Sequence, residues 1–214
     1  MNKKDSELIS NTLESNQKDI LSVSYIGKNN PKIKIIDVPA IMDVTQPSTK
    51  LHNDIIPRND LEESDFKIVF SFKQRNGNYS VIAEVSPVAY DKIMRYKSIF
   101  VGYINCKVFD DYNDRNCKKC CGYGHSILKC YKKDEIYNTC SKCAKSHEGT
   151  ACNVEVLACI NCINANQYLI KKRNTQHSAL DKMNCETYKA RWETHISRTN
   201  YPWRPEEPFY NNVR

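Results

Sequence analysis

A pattern of cysteine and histidine, repeated three times between residues 117 and 185, limits this chain more than any other feature. The first group is Cys117, Cys120, His125 and Cys130, and the second is Cys140, Cys143, His147 and Cys152. The third is Cys159, Cys162, His177 and Cys185, with fourteen residues between Cys162 and His177. Each has the order C-C-H-C, opening on a C-x-x-C turn that brings two thiolates to one ion from neighbouring backbone positions. Three sulfurs and one imidazole suit a closed tetrahedral zinc site, which is structural rather than catalytic. Loops this short cannot bury a core, so metal-binding energy stands in for it. Gly122 and Gly124 mark a sharp turn before His125. The expected cofactor is Zn2+, in the first two groups and, with its long insert, in the third.

Eleven cysteines in 214 residues could also mean a disulfide framework. The start, MNKKDSELISN, has no apolar segment of the kind that directs export, and interleaved histidines have no place among disulfides. The expectation is therefore a reducing, intracellular setting, cytoplasmic or nuclear, without secretion. No apolar run reaches the ~18 residues of a membrane span, so no membrane partner is expected. Net charge is +7. Nine thiolates and three zinc ions would lower it to about +4, so any basic character that matters must be local.

Ahead of the cysteines the pattern changes. Residues 1–30 are polar, with Leu8, Ile9, Leu13, Ile20 and Leu21 at roughly helical intervals and a short strand at Ser22–Ile26. Lys32–Val38 reads as a strand and Ser48–Ile56 as a helix. Phe66, Ile68, Phe70 and Phe72 alternate with polar or smaller residues, which predicts a strand with those four on its buried face. A turn at Asn76-Gly77-Asn78 leads to a strand over Tyr79–Val85. Ser86-Pro87 caps a helix, and Ile99–Val108 is the last strand. The whole is an α+β, β-α-β-β-α-β arrangement, ferredoxin-like or RRM-like. The expected division is 1–30, a polar N-terminal segment; 31–110, the RRM-like domain; 115–155, two tandem knuckles; 156–190, the third zinc site; and 191–214, an irregular tail. Loss of the first knuckle is expected to leave the RRM-like domain folded.

With these residues in view, the chain from about Lys32 to Cys185 resembles the Gag-like first-open-reading-frame proteins of insect-type non-LTR retrotransposons, the jockey group and its relatives. The resemblance is most specific over VIAEVSPVAY, IFVGYINCKVFD and NCKKCCGYGHSILKC. It implies binding of element RNA in a ribonucleoprotein particle, nucleic-acid chaperone activity, self-association, and metal ligation by the twelve residues named above. Two departures stand out: Cys121 lies beside the ligand Cys120, and Glu186 follows Cys185 where the family usually has proline.

The expected partner is single-stranded RNA or DNA. In the first knuckle Tyr123, Ile127 and Leu128 offer flat or apolar surface to an unstacked base, flanked by Lys118, Lys119 and Lys129 for phosphate. Tyr123 reads either as a base contact or as packing for its own zinc loop. Lys142 and Lys145 serve the second knuckle, and Lys171, Lys172 and Arg173 the third. Each lysine reads equally well as solvated surface. Cys106 reads as a core residue, His52 and His195 as surface residues, and Trp192 and Trp203 as packing residues. No nucleophile–base pair or phosphate-cradling loop points to an enzyme. A zinc-scaffolded protein-interaction or assembly module is the alternative.

Overall fold

β-Branched and aromatic residues in alternation build a five-stranded antiparallel sheet in the computed structural model, which describes residues 27–40, 49–112, 114–147 and 152–205. The expected N-terminal helix and the strand at Ser22–Ile26 lie outside the described residues. The strands are β1 (Lys32–Val38), β2 (Phe66–Lys73), β3 (Tyr79–Val85), β4 (Ser98–Val101) and β5 (Ile104–Asp110), in the order β2-β3-β1-β5-β4. Helices α1 (Thr49–Arg58) and α2 (Pro87–Tyr96) supply the other layer. Ser86 caps α2 by accepting a hydrogen bond from the Ala89 N–H at 3.1 Å.

The last strand expected, Ile99–Val108, is a hairpin of β4 and β5 instead. The chain reverses at Gly102, whose φ of 59° favours glycine. Ile33 and Ile35 of β1 pair with Ala83 and Val81 of β3, so all four share one face. Leu51 and Ile55 from α1 and Tyr90 and Ile93 from α2 bury that face. Cys106 lies in this core, as expected.

β2 departs from simple alternation. Ile68 pairs with Ala83, but Phe70 pairs with the very next residue, Ile82. The extra residue at Val69 is a β-bulge, and it rotates the rest of the strand to the other face. Phe70 and Phe72, expected in the core, are 57% and 37% exposed, with ring centroids 5.9 Å apart. The Lys34 ammonium sits 5.6 Å from the Phe72 ring. The period of two was correct on each side of the bulge, and the bulge itself carries no sequence signature.

Among its described residues the cysteine-rich region holds little regular structure: one 3-10 turn (Ile127–Lys129), α3 (Ile160–Asn166) and α4 (Glu186–Arg198). Residues 191–198, expected in an irregular tail, are the last turns of α4. They are helical because Tyr188 and Trp192, one turn apart, bury a common stripe against Tyr112, with centroids 5.6 and 4.7 Å away. The described residues beyond α4, 199–205, form neither helix nor strand, yet they are fixed. The N–H of Asn29 donates to Arg198 O (2.9 Å), and that of Asn200 to Asn29 O (2.8 Å). The Trp203 indole N–H donates to Asp91 on α2 at 3.0 Å. Trp192 packs as expected, and Trp203 contacts Tyr90 at 5.5 Å. The two histidines expected at the surface are half-buried instead. His52 Nε2 lies 2.7 Å from Phe66 O, and His195 Nε2 lies 3.0 Å from the Tyr201 hydroxyl. Among the described residues no helix is long and apolar enough to cross a membrane.

Candidate metal centres

All twelve residues expected as ligands gather into the three expected groups. Within each group the four ligand atoms lie within 4.8 Å of one another. Every cysteine is a free thiol. Three sulfurs and an imidazole nitrogen converging on a common point fit a closed metal site, and the three clusters can each hold a metal ion.

The first two centres are built alike. Cys121 N–H donates to Cys117 O (2.8 Å), and Cys117 N–H to Gly122 O (2.8 Å). The second repeats this with Ala144 N–H to Cys140 O (3.0 Å) and Cys140 N–H to Lys145 O (2.8 Å). In both turns the residue after the second cysteine adopts the left-handed conformation, Cys121 at φ 57° and Ala144 at φ 60°. Backbone N–H groups then point at sulfur: Lys119 at Cys117, Gly122 at Cys120, Lys132 at Cys130 and Lys142 at Cys140, each at 3.4 Å. Such donors stabilise thiolate and fix each ligand's direction. The histidine returns its Nε2 to the second cysteine, 3.2 Å from Cys120 Sγ and 3.4 Å from Cys143 Sγ.

Gly122 and Gly124 have different reasons. A Cβ at Gly122 would sit 3.2 Å from both Cys120 Sγ and His125 Cε1, so it would press on two residues of the cluster at once. Gly124 has φ 86°, and a Cβ there would come within 2.5 Å of the Arg191 guanidinium. Cys121 is not a fourth sulfur for the first centre: its thiol donates to Thr139 O at 3.2 Å.

The third group is the most enclosed, with all four ligands buried. Cys159 and Cys185 stand at the N-termini of α3 and α4, and Cys162 lies on α3. The fourteen-residue insert is closed by Asn166, whose side chain accepts from Arg173 N–H (2.8 Å) and donates to Arg173 O (3.0 Å). Cys162 Sγ lies 3.6 Å from His177 Nε2 and 3.6 Å from Cys185 Sγ. Glu186, directly after Cys185, accepts a hydrogen bond from Asn174 N–H at 3.2 Å and helps close the insert.

The thiols are unequal. Burial would raise Cys117, but the Cys120 and Lys119 N–H groups and neighbouring thiols hold it down at about 7. The same balance holds Cys140 at about 6. Cys185 is held at about 4, chiefly by a hydrogen bond from Cys159 and against burial. Their neighbours move the other way: burial, then the adjoining sulfurs, push Cys120 up to about 12, and Cys159 is raised by Cys185 and by burial. Three thiols in one small space ionise together only when a cation balances them.

The centres are packed together. Asn161, inside the third C-x-x-C, donates to Cys121 O (2.9 Å) and accepts from Tyr123 N–H (3.1 Å). The Tyr123 hydroxyl donates to Ala179 O at 3.2 Å. Tyr123 is thus 8% exposed, wedged between the first and third centres against Tyr188. Of its two readings, the structure takes packing. Lys119 is buried as well, its ammonium on Glu135 O. Lys118, Ile127, Leu128, Lys129, Lys142, Lys145, Lys171 and Lys172 are exposed. Arg173 is half-buried and donates to Thr187 Oγ1 at 2.9 Å, beside Cys162. Asn161, Asn166 and Thr187 are supporting residues that ligand spacing could not reveal.

Comparisons with protein-family models, with curated proteins and with solved structures give no match to this chain.

Proposed function

We propose that the protein is a zinc-dependent binder of single-stranded nucleic acid, RNA in the first instance, rather than an enzyme. The observation that carries this reading is the composition of the cysteine-rich module. Three closed four-ligand sets leave no coordination position for a substrate, while the surface around them presents lysines and flat or apolar side chains together. Lys118, Lys129, Lys142 and Lys145 are exposed beside Leu128, Tyr131 and Ile136. Lysines hold phosphates and flat side chains accept unstacked bases. Several weak contacts on one scaffold add to a useful affinity and still release quickly, as a nucleic-acid chaperone requires.

The strand order β2-β3-β1-β5, with α1 and α2 over one face, supports reading the first domain as ferredoxin-like and RRM-like, extended at one edge by β4. With the resemblance described above, this supports a narrower role as a Gag-like component of a retrotransposon ribonucleoprotein. A second reading, an assembly module without nucleic acid, is favoured by Val69, Phe70 and Phe72 exposed together on edge strand β2.

Fluorescence anisotropy with a labelled single-stranded oligoribonucleotide separates the two readings. The first expects saturable binding by zinc-loaded protein that disappears with chelator and weakens steeply with salt. Zinc-loaded protein that ignores the oligonucleotide but self-associates until Phe70 and Phe72 are replaced by serine would establish the second.

A further inference from the structure

The first and second centres do not meet edge to edge. Between them opens a cleft of about 740 Å³, within the roughly 300–1,000 Å³ typical of small-molecule sites. Its walls are held by backbone. Thr139 N–H donates to Lys119 O at 2.8 Å, and Ala179 N–H donates to Ser141 O at 2.8 Å. A cleft with fixed walls binds with little ordering cost.

The lining has a distinct chemistry. Lys118 comes from the first C-x-x-C turn and Lys142 from the second, so two exposed ammonium groups flank one opening. Ile136 and Tyr137 enter from the linker between the centres, 87% and 43% exposed, and Leu180 faces the same space from the loop before Cys185. Asn138 adds an amide able to donate and accept. Among the described residues no aspartate or glutamate lines the cleft. Cations at the rim, flat and apolar surface within, and the amides of Asn116 and Asn138 describe a receptor for an aromatic anion. With Tyr123 buried, the first knuckle's own loop offers no aromatic ring to a base, and Tyr137 is the aromatic side chain that lines this cleft.

We propose that this cleft seats an unstacked nucleotide of a single strand, its base against Tyr137 and Ile136 and its flanking phosphates on Lys118 and Lys142. The proposal rests on the nucleic-acid reading above and gives that reading a place. The two knuckles then act as one reader rather than as two beads. The linker Tyr131–Thr139 is part of the binding surface.

The test combines ultraviolet crosslinking with anisotropy, on zinc-loaded full-length protein and a short mixed-sequence oligoribonucleotide. The crosslinked nucleotide should map by mass spectrometry to Tyr137 or its neighbours. Tyr137→Ala should weaken binding roughly tenfold, the scale of one lost stacking contact. Lys118→Ala with Lys142→Ala should lower the slope of log affinity against log salt by about 1.4, from ~0.7 per single-strand phosphate contact. These side chains are exposed, and zinc content measured on each variant confirms the scaffold; the lysine pair keeps the test open should Tyr137→Ala fail to fold. Wild-type binding that all these variants retain, with crosslinks elsewhere such as Phe70 or Phe72, would overturn the cleft and leave the nucleic-acid function standing. No binding by the wild-type protein would overturn both.

Discussion

The Tyr201 hydroxyl donates to the Asp110 carboxylate, 3.0 and 3.1 Å from its two oxygens, across ninety-one positions of sequence. This bond fastens the segment after α4 to the end of β5, and His195 Nε2 stands 3.0 Å behind the same hydroxyl. Burial raises Asp110 to about 7, although the bond from Tyr201 pulls the other way. A carboxyl with a higher pKa folded than unfolded binds its proton more tightly in the native state. Its contribution is therefore present at low pH and is lost as pH rises from about 4 through 7. Asp110→Asn, which still accepts from Tyr201, should remove that decline. Urea melts should show the variant more stable above pH 7, by on the order of 4 kcal/mol, and level with wild type near pH 4. Equal pH dependence in the two proteins would contradict the assignment.

The third centre holds the start of α4 through Cys185, and α4 carries Trp192, which is 1% exposed. Cys185→Ser should therefore loosen α4 and shift Trp192 emission to longer wavelength. Cys140→Ser, in the second centre, should leave that emission unchanged. The β1–β5 core should remain folded in both variants by far-ultraviolet circular dichroism, at reduced stability in the first because contacts at Asn29, Asp91 and Asp110 are lost.

Gly124 makes room for an ion pair between a part-exposed guanidinium and a buried carboxylate. Arg191 donates through Nε and, at 3.0 Å, through Nη2 to Asp114, whose side chain is 4% exposed. A methyl group at 124 meets that guanidinium and is strained at φ 86°. Gly124→Ala should cost roughly 1–3 kcal/mol, combining left-handed strain with a disturbed buried carboxylate. Chemical denaturation followed by Trp192 fluorescence reads it.

Ala144 occupies the left-handed position of the second centre without glycine's freedom. Ala144→Gly should strengthen that centre by up to about 1 kcal/mol, visible as slower zinc release to a competing chelator. The matching Cys121→Gly should gain less, because it gives up the thiol's bond to Thr139 O.

Local pattern was the legible part of the sequence. Ligand spacing identified all twelve residues of the three Cys/His clusters, Ser86-Pro87 identified the start of α2, and alternation found β1, β2 and β3. Long-range contacts decided what was not legible. The bulge at Val69 reverses Phe70 and Phe72, and no residue type announces it. The burial of Tyr123 depends on Asn161 and Ala179, 38 and 56 residues away. The enclosure of the third centre depends on Asn166 closing the insert, which spacing alone made look loose. α4 runs on to Arg198 because Tyr112, far earlier in the chain, offers its stripe a place to bury.

Native mass spectrometry of zinc-loaded protein, alone and with a single-stranded oligoribonucleotide, tests the central claim most directly. It counts metal and nucleic acid on the same molecule. Three zinc ions per chain, one bound oligonucleotide, and loss of the oligonucleotide when chelator strips the zinc are the expected result. Fewer than three zinc ions on the folded protein, or a fully loaded chain that binds no oligonucleotide, would contradict it.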